Sequence, residues 1–458
     1  MREIGVGLVV VLGGVFPVAF AGAAGQVDYT ERGEGVSLSG VDSNSELNCV
    51  PADSSACESD TECGVVPPQP WRLPQPPLLQ RLGITMGGWL QQGITFNGDR
   101  PGDDYNGPVA TNDLDSEYLM NQLWLYFDRP INTAERGWDV GGRIDMLYGS
   151  DFRFGINLGL ENRINDLDRG TYGMVIPQLY LEVGVGNLSV KLGHFAGILD
   201  YEVIPGPPNP FYSHSYSYGY TVPQLVTGFL ADYRFNEQFS VQAGLHRGWM
   251  MFEDTNDDLD FMGGVKWVSR DKRTSLAFAL STGAQDPLAV VNGVAIGDWN
   301  GIPGDQERFV YSLVLQHQLT EKFRYVAVHN LGYEDNAVPT PSGLQDGEWY
   351  GLNQYFLYQI NPKWAANVRF EWLRDDDGAR IAGPGNIPGV RAWNGMGFAG
   401  SFYALTCGVT WRPAPNWMVR PEVRWDWYDG AAGPRGLPFD NGSDDDQFLF
   451  AVDLIFLF

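Results

Sequence analysis

The sequence predicts an all-β fold, a transmembrane antiparallel up-and-down barrel of about 16 strands behind a disordered N-terminal arm. Three observations carry this expectation. The chain ends on Asp446–Phe458, where every second residue from Phe448 to Phe458 is large and apolar, so these side chains share one face of a strand. Segments of similar character recur from Ile84 onward, joined by connections that alternate between short and long. Glycine is abundant at 57 of 458 residues and aromatics reach 13%, while charged residues are only 19%, a mixture suited to many strands and tight turns.

Residues 1–24 have the pattern of a cleaved secretory signal: Arg2, an apolar stretch from Ile4 to Phe16, then Ala19-Phe20-Ala21 or Ala21-Gly22-Ala23 as a cleavage site. Beyond it, no apolar run approaches the roughly 18 to 20 residues of a membrane helix, so a spanning fold has to be a closed barrel. Residues 25–80 are acidic, then Pro-rich, and bury too little apolar area to fold, which predicts an unstructured arm. Cys49, Cys57 and Cys63 lie in it, where one local disulfide fits an oxidising compartment; an all-Cys metal site does not, because no His is near.

The barrel is expected over 81–458, with strands at 84–96, 118–128, 137–149, 174–185, 188–198, 224–235, 239–252, 259–268, 274–284, 307–319, 323–333, 348–360, 364–374, 398–411, 417–428 and 446–458. The even count returns both barrel ends to the short-turn side. In 364–374, Trp364, Ala366, Val368, Phe370 and Trp372 oppose Asn367, Arg369 and Glu371. In 417–427, Trp417, Val419, Val423, Trp425 and Trp427 oppose Arg420, Glu422, Arg424 and Asp426. Arg at a bilayer midplane costs roughly 2–4 kcal/mol, so the charged faces belong to a hydrated interior. Trp267, Trp364, Trp411, Trp417 and Tyr428, near strand ends, fit interfacial aromatic girdles.

Sixteen strands leave an aqueous lumen where eight would be filled by side chains. Its expected lining is Arg143, Asp145, Glu182, Lys191, Asp232, Arg234, Lys266, Arg308 and Arg324, with Arg369, Glu371, Arg420, Glu422, Arg424 and Asp426. Nine of these are basic and six acidic, and the two signs either orient solutes or simply pair. The third long connection, about 199–223, is Pro-stiffened and Tyr-rich where the first, fourth, seventh and eighth are acidic. It is expected to fold inward and narrow the lumen through Pro207, Asn209, Phe211, Tyr212, His214, Tyr216 and Tyr218.

With a net charge of −26 the chain is no nucleic-acid binder. The acidic loops make a negative mouth that attracts cations or holds a divalent metal; Asp254–Asp258 lacks the Gly and distal Glu of a calcium loop and reads as solvated surface. Neither G-x-S-x-G nor H-E-x-x-H occurs, and His194, His214, His246, His317 and His329 are scattered, so no enzyme, cofactor or metal is expected. The rival readings are an outer-membrane barrel lipase or protease with a triad drawn from distant strands, and a structural barrel that anchors the envelope through the arm.

The closing strand resembles that of bacterial outer-membrane barrels. Leu192-Gly193-His194-Phe195, the Ile204–Tyr220 segment, Gly228 and Gly244 to Trp249 are similar to the OmpL-like β-barrel porin family over about 83–458. That resemblance implies an outer-membrane location, contact with its lipids, and passage of small hydrophilic solutes or ions. Porins of this size are often trimers, which leaves a homotrimer open as the assembly.

Overall fold

The computed structural model describes residues 70–458, apart from 135, 158, 166–170, 255–257, 286–288, 292–293, 297–305, 341, 382–396 and 434–435. The expected signal, most of the arm and its three cysteines therefore lie outside the described residues.

Sixteen antiparallel strands pair in chain order and close into one barrel. The first half runs β1 (Thr85–Asn97), β2 (Tyr118–Arg129), β3 (Trp138–Gly149), β4 (Gly173–Val185), β5 (Leu188–Ala196), β6 (Leu225–Arg234), β7 (Phe239–His246) and β8 (Asp260–Val268). The second half runs β9 (Thr274–Gln285), β10 (Gln306–Gln318), β11 (Phe323–Thr340), β12 (Gly343–Asn361), β13 (Trp364–Asp375), β14 (Gly400–Trp411), β15 (Trp417–Gly430) and β16 (Asp446–Leu457). A separate short hairpin, Ala289–Val291 with Val294–Ile296, sits in the fifth long loop. Closure is made by β1 on β16, in register from Trp89 opposite Leu457 to Asn97 opposite Leu449. Closing the sheet leaves no edge, the condition for a sheet in lipid.

Side chains alternate as a two-residue period requires. Along β13 exposed or half-buried outward residues alternate with buried inward ones, Ala365, Asn367, Arg369, Glu371 and Leu373 among the latter. On β16, Phe448 and Phe450 face outward while Gln447, Leu449, Asp453 and Ile455 are buried inward. The apolar residues that blur the polar face of this strand thus serve an interior core: Ile455 joins Trp89, Trp124, Phe195 and Trp249 in one cluster inside the barrel. Outside, Trp364 and Trp411 stack at 5.4 Å, and Trp417 packs on Phe456 at 4.6 Å. Tyr428 departs from the girdle expectation. It shares inward parity with Arg424 and Asp426 and is buried against Phe402, ring centroids 4.7 Å apart.

Three boundaries differ from expectation. Strand β7 stops at His246 rather than 252, because Gly248 and Met250 take positive φ (92° and 54°) and turn Trp249 inward. Strands β11 and β12 run on past 333 and before 348 as an external hairpin whose Asp, Asn, Gly and Pro content disguises it. The end of the expected arm, 70–82, is ordered. There the backbone N–H of Trp71 donates to Asn416 Oδ1 at 2.8 Å, the Trp71 ring stacks on Phe456 at 6.0 Å, and Pro77–Leu82 forms the short helix α1. This strap crosses the short-turn rim at the seam where β1 meets β16.

Leu181 projects outward from β4 and is 63% exposed, whereas Glu182 beside it points into the lumen. Leu181→Arg is predicted to lower barrel stability in lipid by about 2–4 kcal/mol, read as a drop in the urea midpoint in vesicles. An unchanged midpoint would mean that this face does not meet hydrocarbon.

Candidate functional site

Strands β5 and β6 are among the shortest of the barrel, and the long loop between them, 197–224, enters the lumen. Its ends are closed by the Gly197 N–H donating to the Gln224 carbonyl at 2.9 Å. From there the loop crosses to the far wall and is tied down in succession. At the β10–β11 wall, the Asp200 N–H donates to Ser312 Oγ at 3.0 Å and Asn330 donates to the Asp200 carboxylate at 2.6 Å. At β12 and β13, Glu202 accepts from the Tyr355 hydroxyl and from Arg369, both at 2.8 Å. At β2 and β15, the Gly206 N–H donates to Gln122 Oε1 at 3.0 Å, and Arg420 donates to the carbonyls of Gly206 (2.9 Å) and Asn209 (2.6 Å). Gly206 has no room for a side chain, since a Cβ there would lie 2.0 Å from Gln91 Oε1.

The Pro-rich stretch lacks many N–H donors, and its carbonyls and remaining N–H groups find wall charges instead. Tyr212 and Ser213 donate backbone N–H to Glu422 at 2.8 and 3.1 Å, and Tyr216 donates its N–H to Glu371 at 2.8 Å. Arg369 and Arg424 donate to the carbonyls of Ser213 and His214, each at 2.8 Å. The hydroxyls of Tyr212 and Tyr216 reach Asn121 (2.9 Å) and Asp426 (2.8 Å). The short helix α2 (Tyr216–Tyr220) ends the crossing, N-capped by Ser215.

The constriction candidates Pro207, Asn209, Phe211, Tyr212, His214, Tyr216 and Tyr218 all lie in this inward loop and are buried. Phe211 sits under the Arg369 guanidinium at 5.0 Å, and Asn209 closes its own turn on the Val203 carbonyl at 2.6 Å. The lining candidates divide into two groups. Arg308, Arg324, Arg369, Glu371, Arg420, Glu422, Arg424 and Asp426 stand on the β10–β15 wall, and most are sealed under the loop or within ion pairs such as Arg308–Glu334 at 2.6 Å. Arg143, Glu182, Lys191, Asp232, Arg234 and Lys266 line a cavity of about 770 Å³ between the β3–β8 wall and the underside of the loop. That cavity also touches Pro130, Asn236 and Lys272 of the short turns, so it lies toward the short-turn end. Asp145 lies just behind it, paired with Arg143 at 2.7 Å.

Sequence reasoning missed the loop's own docking carboxylates, Asp200 and Glu202, and four wall residues of its docking network: Gln122, Asn330, Tyr355 and Asp453. The last four have inward parity on their strands, which is the signal that finds them. Asp453 pairs with Arg420 and accepts from Gln91 at 2.8 Å. Outside the lumen, Asp444, Asp445 and Asp446 bring carboxylate oxygens within 4.8 Å of one another at the rim, two of them exposed. Of the described residues they are the group able to hold a cation.

Two neighbouring loop carboxylates behave oppositely. Burial first, then repulsion from Glu202, raises Asp200 to about 6. Burial also pushes Glu202 up, but Arg369 and His214 outweigh it and hold it at about 2. Protonating Asp200 therefore favours the docked loop: its contribution is present below the usual carboxylate range and lost as pH rises through about 6. The Glu202 contribution is present above that range and lost as pH falls toward about 2. Amide-exchange protection of loop 197–224, corrected for intrinsic rates, is predicted to rise from pH 7 to pH 5, and Asp200→Asn to flatten that rise. A wild-type profile without slope contradicts this.

A family model described as "Putative beta-barrel porin-2, OmpL-like" matches residues 83–458. No curated protein matches the chain. Among solved structures, the anion-selective porin from Comamonas acidovorans is similar at a TM-score of 0.52 and 9% identity, covering 82% of this chain and 99% of that one. Pseudomonas putida OprB gives 0.51 at 13% identity, covering 83% and 96%. The outer membrane channel DcaP of Acinetobacter baumannii gives 0.50 at 10% identity, covering 82% and 97%. At these identities the likeness concerns the fold.

Proposed function

Because the chain belongs to the OmpL-like β-barrel porin family over residues 83–458, and is a porin-like outer-membrane barrel, we propose that it provides passive diffusion of small hydrophilic solutes, narrowed by its third external loop. The observation that carries this reading is the asymmetric filling of the lumen. Loop 197–224 occupies the β10–β16 side, and a cavity of about 770 Å³ lined by charged residues remains along β3–β8. A barrel of sixteen strands without such a loop has an open lumen, so the loop determines what passes. Cross-strand pairs such as Glu182 opposite Lys191, with Asp232 and Lys266 nearby, present both charge signs to a solute.

The same proposal takes 1–24 as the export signal and 25–69 as an N-terminal arm preceding the strap at Trp71. It includes a homotrimer, which the mass of the detergent-solubilised protein reads directly. It assigns no catalysis. The pairing of His246 with Ser281 at 3.0 Å resembles part of a triad, yet Nδ1 of His246 sits at the Gly248 backbone, 3.2 Å away, and both side chains are buried away from the cavity.

One observation favours a second reading. The loop is stapled at so many points that a non-conducting structural barrel is a coherent alternative. Deleting 206–218 separates the two: the deletion is predicted to raise single-channel conductance in planar bilayers over that of the wild type. Equal conductance in the two proteins ends the constriction proposal.

A further inference from the structure

The large cavity ends inward against Ile204, Tyr218 and Gln224. The same three residues line a second void of about 20 Å³ on the external side, lined also by Ala110 and Thr111 of the first loop and by Asp151, Phe154, Gly155, His214 and Gly219. A space of that size holds about one water. Three residues thus line both voids. We propose that Tyr218, with Ile204 and Gln224, is the septum through which the solute path crosses the third loop, and that the Tyr218 ring sets its size limit. This rests on the loop-constriction reading above and names the point within the loop where it acts.

The backbones of Ile204 and Tyr218 are both held. The backbone of Ile204 is held to the wall by Gln122, which donates to its carbonyl at 2.8 Å while accepting from the Gly206 N–H at 3.0 Å. Gln224 donates to the Tyr218 carbonyl at 3.0 Å, and the Tyr218 N–H donates to Ser215 Oγ at 3.2 Å, so the Tyr218 backbone is held too. Its ring lies beside that of His214, centroids 5.1 Å apart, and Tyr218 lines both voids. Tyr212 and Tyr216, whose hydroxyls bond to Asn121 and Asp426 on the wall, do not line the cavity. Among the tyrosines of this loop segment, Tyr218 is therefore the one whose removal joins the two spaces.

Ile204, Tyr218 and Gln224 carry no formal charge, in contrast to the ionic walls of the cavity below. At the septum a solute is sorted by size, and charge selection belongs to the walls. Opening the septum should therefore change how much passes more than which sign of ion passes.

The test uses full-length protein in planar bilayers, with the heat-dependent electrophoretic shift of a folded barrel as the folding check. Tyr218→Ala should raise single-channel conductance severalfold with the reversal potential in a salt gradient unchanged, and Tyr218→Phe should match wild type. Should Tyr218→Ala fail the folding check, Ile204→Ala is read in its place with the same expectation. Wild-type conductance in the Ala variant, with a larger conductance in the 206–218 deletion, overturns the septum and leaves the loop constriction standing. No change in either removes both. A Phe variant that conducts like the Ala variant, or a shifted reversal potential, also overturns it.

Discussion

The organising constraint is that a closed sheet in lipid turns its charged faces inward, and charges inside a narrow lumen must then find partners. Burying an ion without one costs several kcal/mol, and removing one partner of a buried pair costs about 3–5 kcal/mol. The β13–β16 wall carries Arg369, Glu371, Arg420, Glu422, Arg424, Asp426 and Asp453, all almost fully buried. Their cross-strand pairing is incomplete by itself, and the carbonyls and N–H groups of loop 197–224 complete it. Loop docking and charge burial are two sides of one arrangement.

That arrangement divides the lumen. On the β10–β16 side the interior is built like a protein core, with Phe211 beside Val326, Val328 and Tyr355 in one apolar cluster and Tyr216 and Tyr220 of α2 against Phe402 in another. On the β3–β8 side Glu182, Lys191, Asp232 and Lys266 are half-buried and Arg234 is exposed, while the Arg143–Asp145 pair is buried. Exposed pairs contribute little to stability, while buried ones under the loop hold its geometry. The loop is thus positioned by one wall and presents its underside to the other.

The extramembrane parts follow the same economy of contacts. The first and second loops are joined by the Arg153–Asp113 pair, at 2.7 and 2.8 Å, above the third. Trp249, turned inward by the positive-φ residues around it, lies between the guanidinium groups of Arg308 (4.6 Å) and Arg380 (5.2 Å). On the opposite rim the strap at Trp71 and Gln75 covers the seam between the first and last strands, where Gln75 accepts from the Met86 N–H at 2.8 Å and donates to its carbonyl at 2.7 Å.

Strand number, closure and the facing of Arg369, Glu371, Arg424 and Asp426 were legible in the sequence, because side-chain alternation is a local property with a period of two. Even Tyr428 was legible in principle, since its parity matches that of Asp426. The external hairpin of β11 and β12 was not, because its polar residues pair only once the strands below bring them together. Nor was the docked course of 197–224. Its composition marks it as unlike the other loops, but Glu202 meets Tyr355 and Arg369, and Gly206 meets Gln122 and Arg420, across separations of 84 to 214 residues. Those meetings depend on which walls the closed cylinder sets opposite each other, and only the tertiary structure decides that.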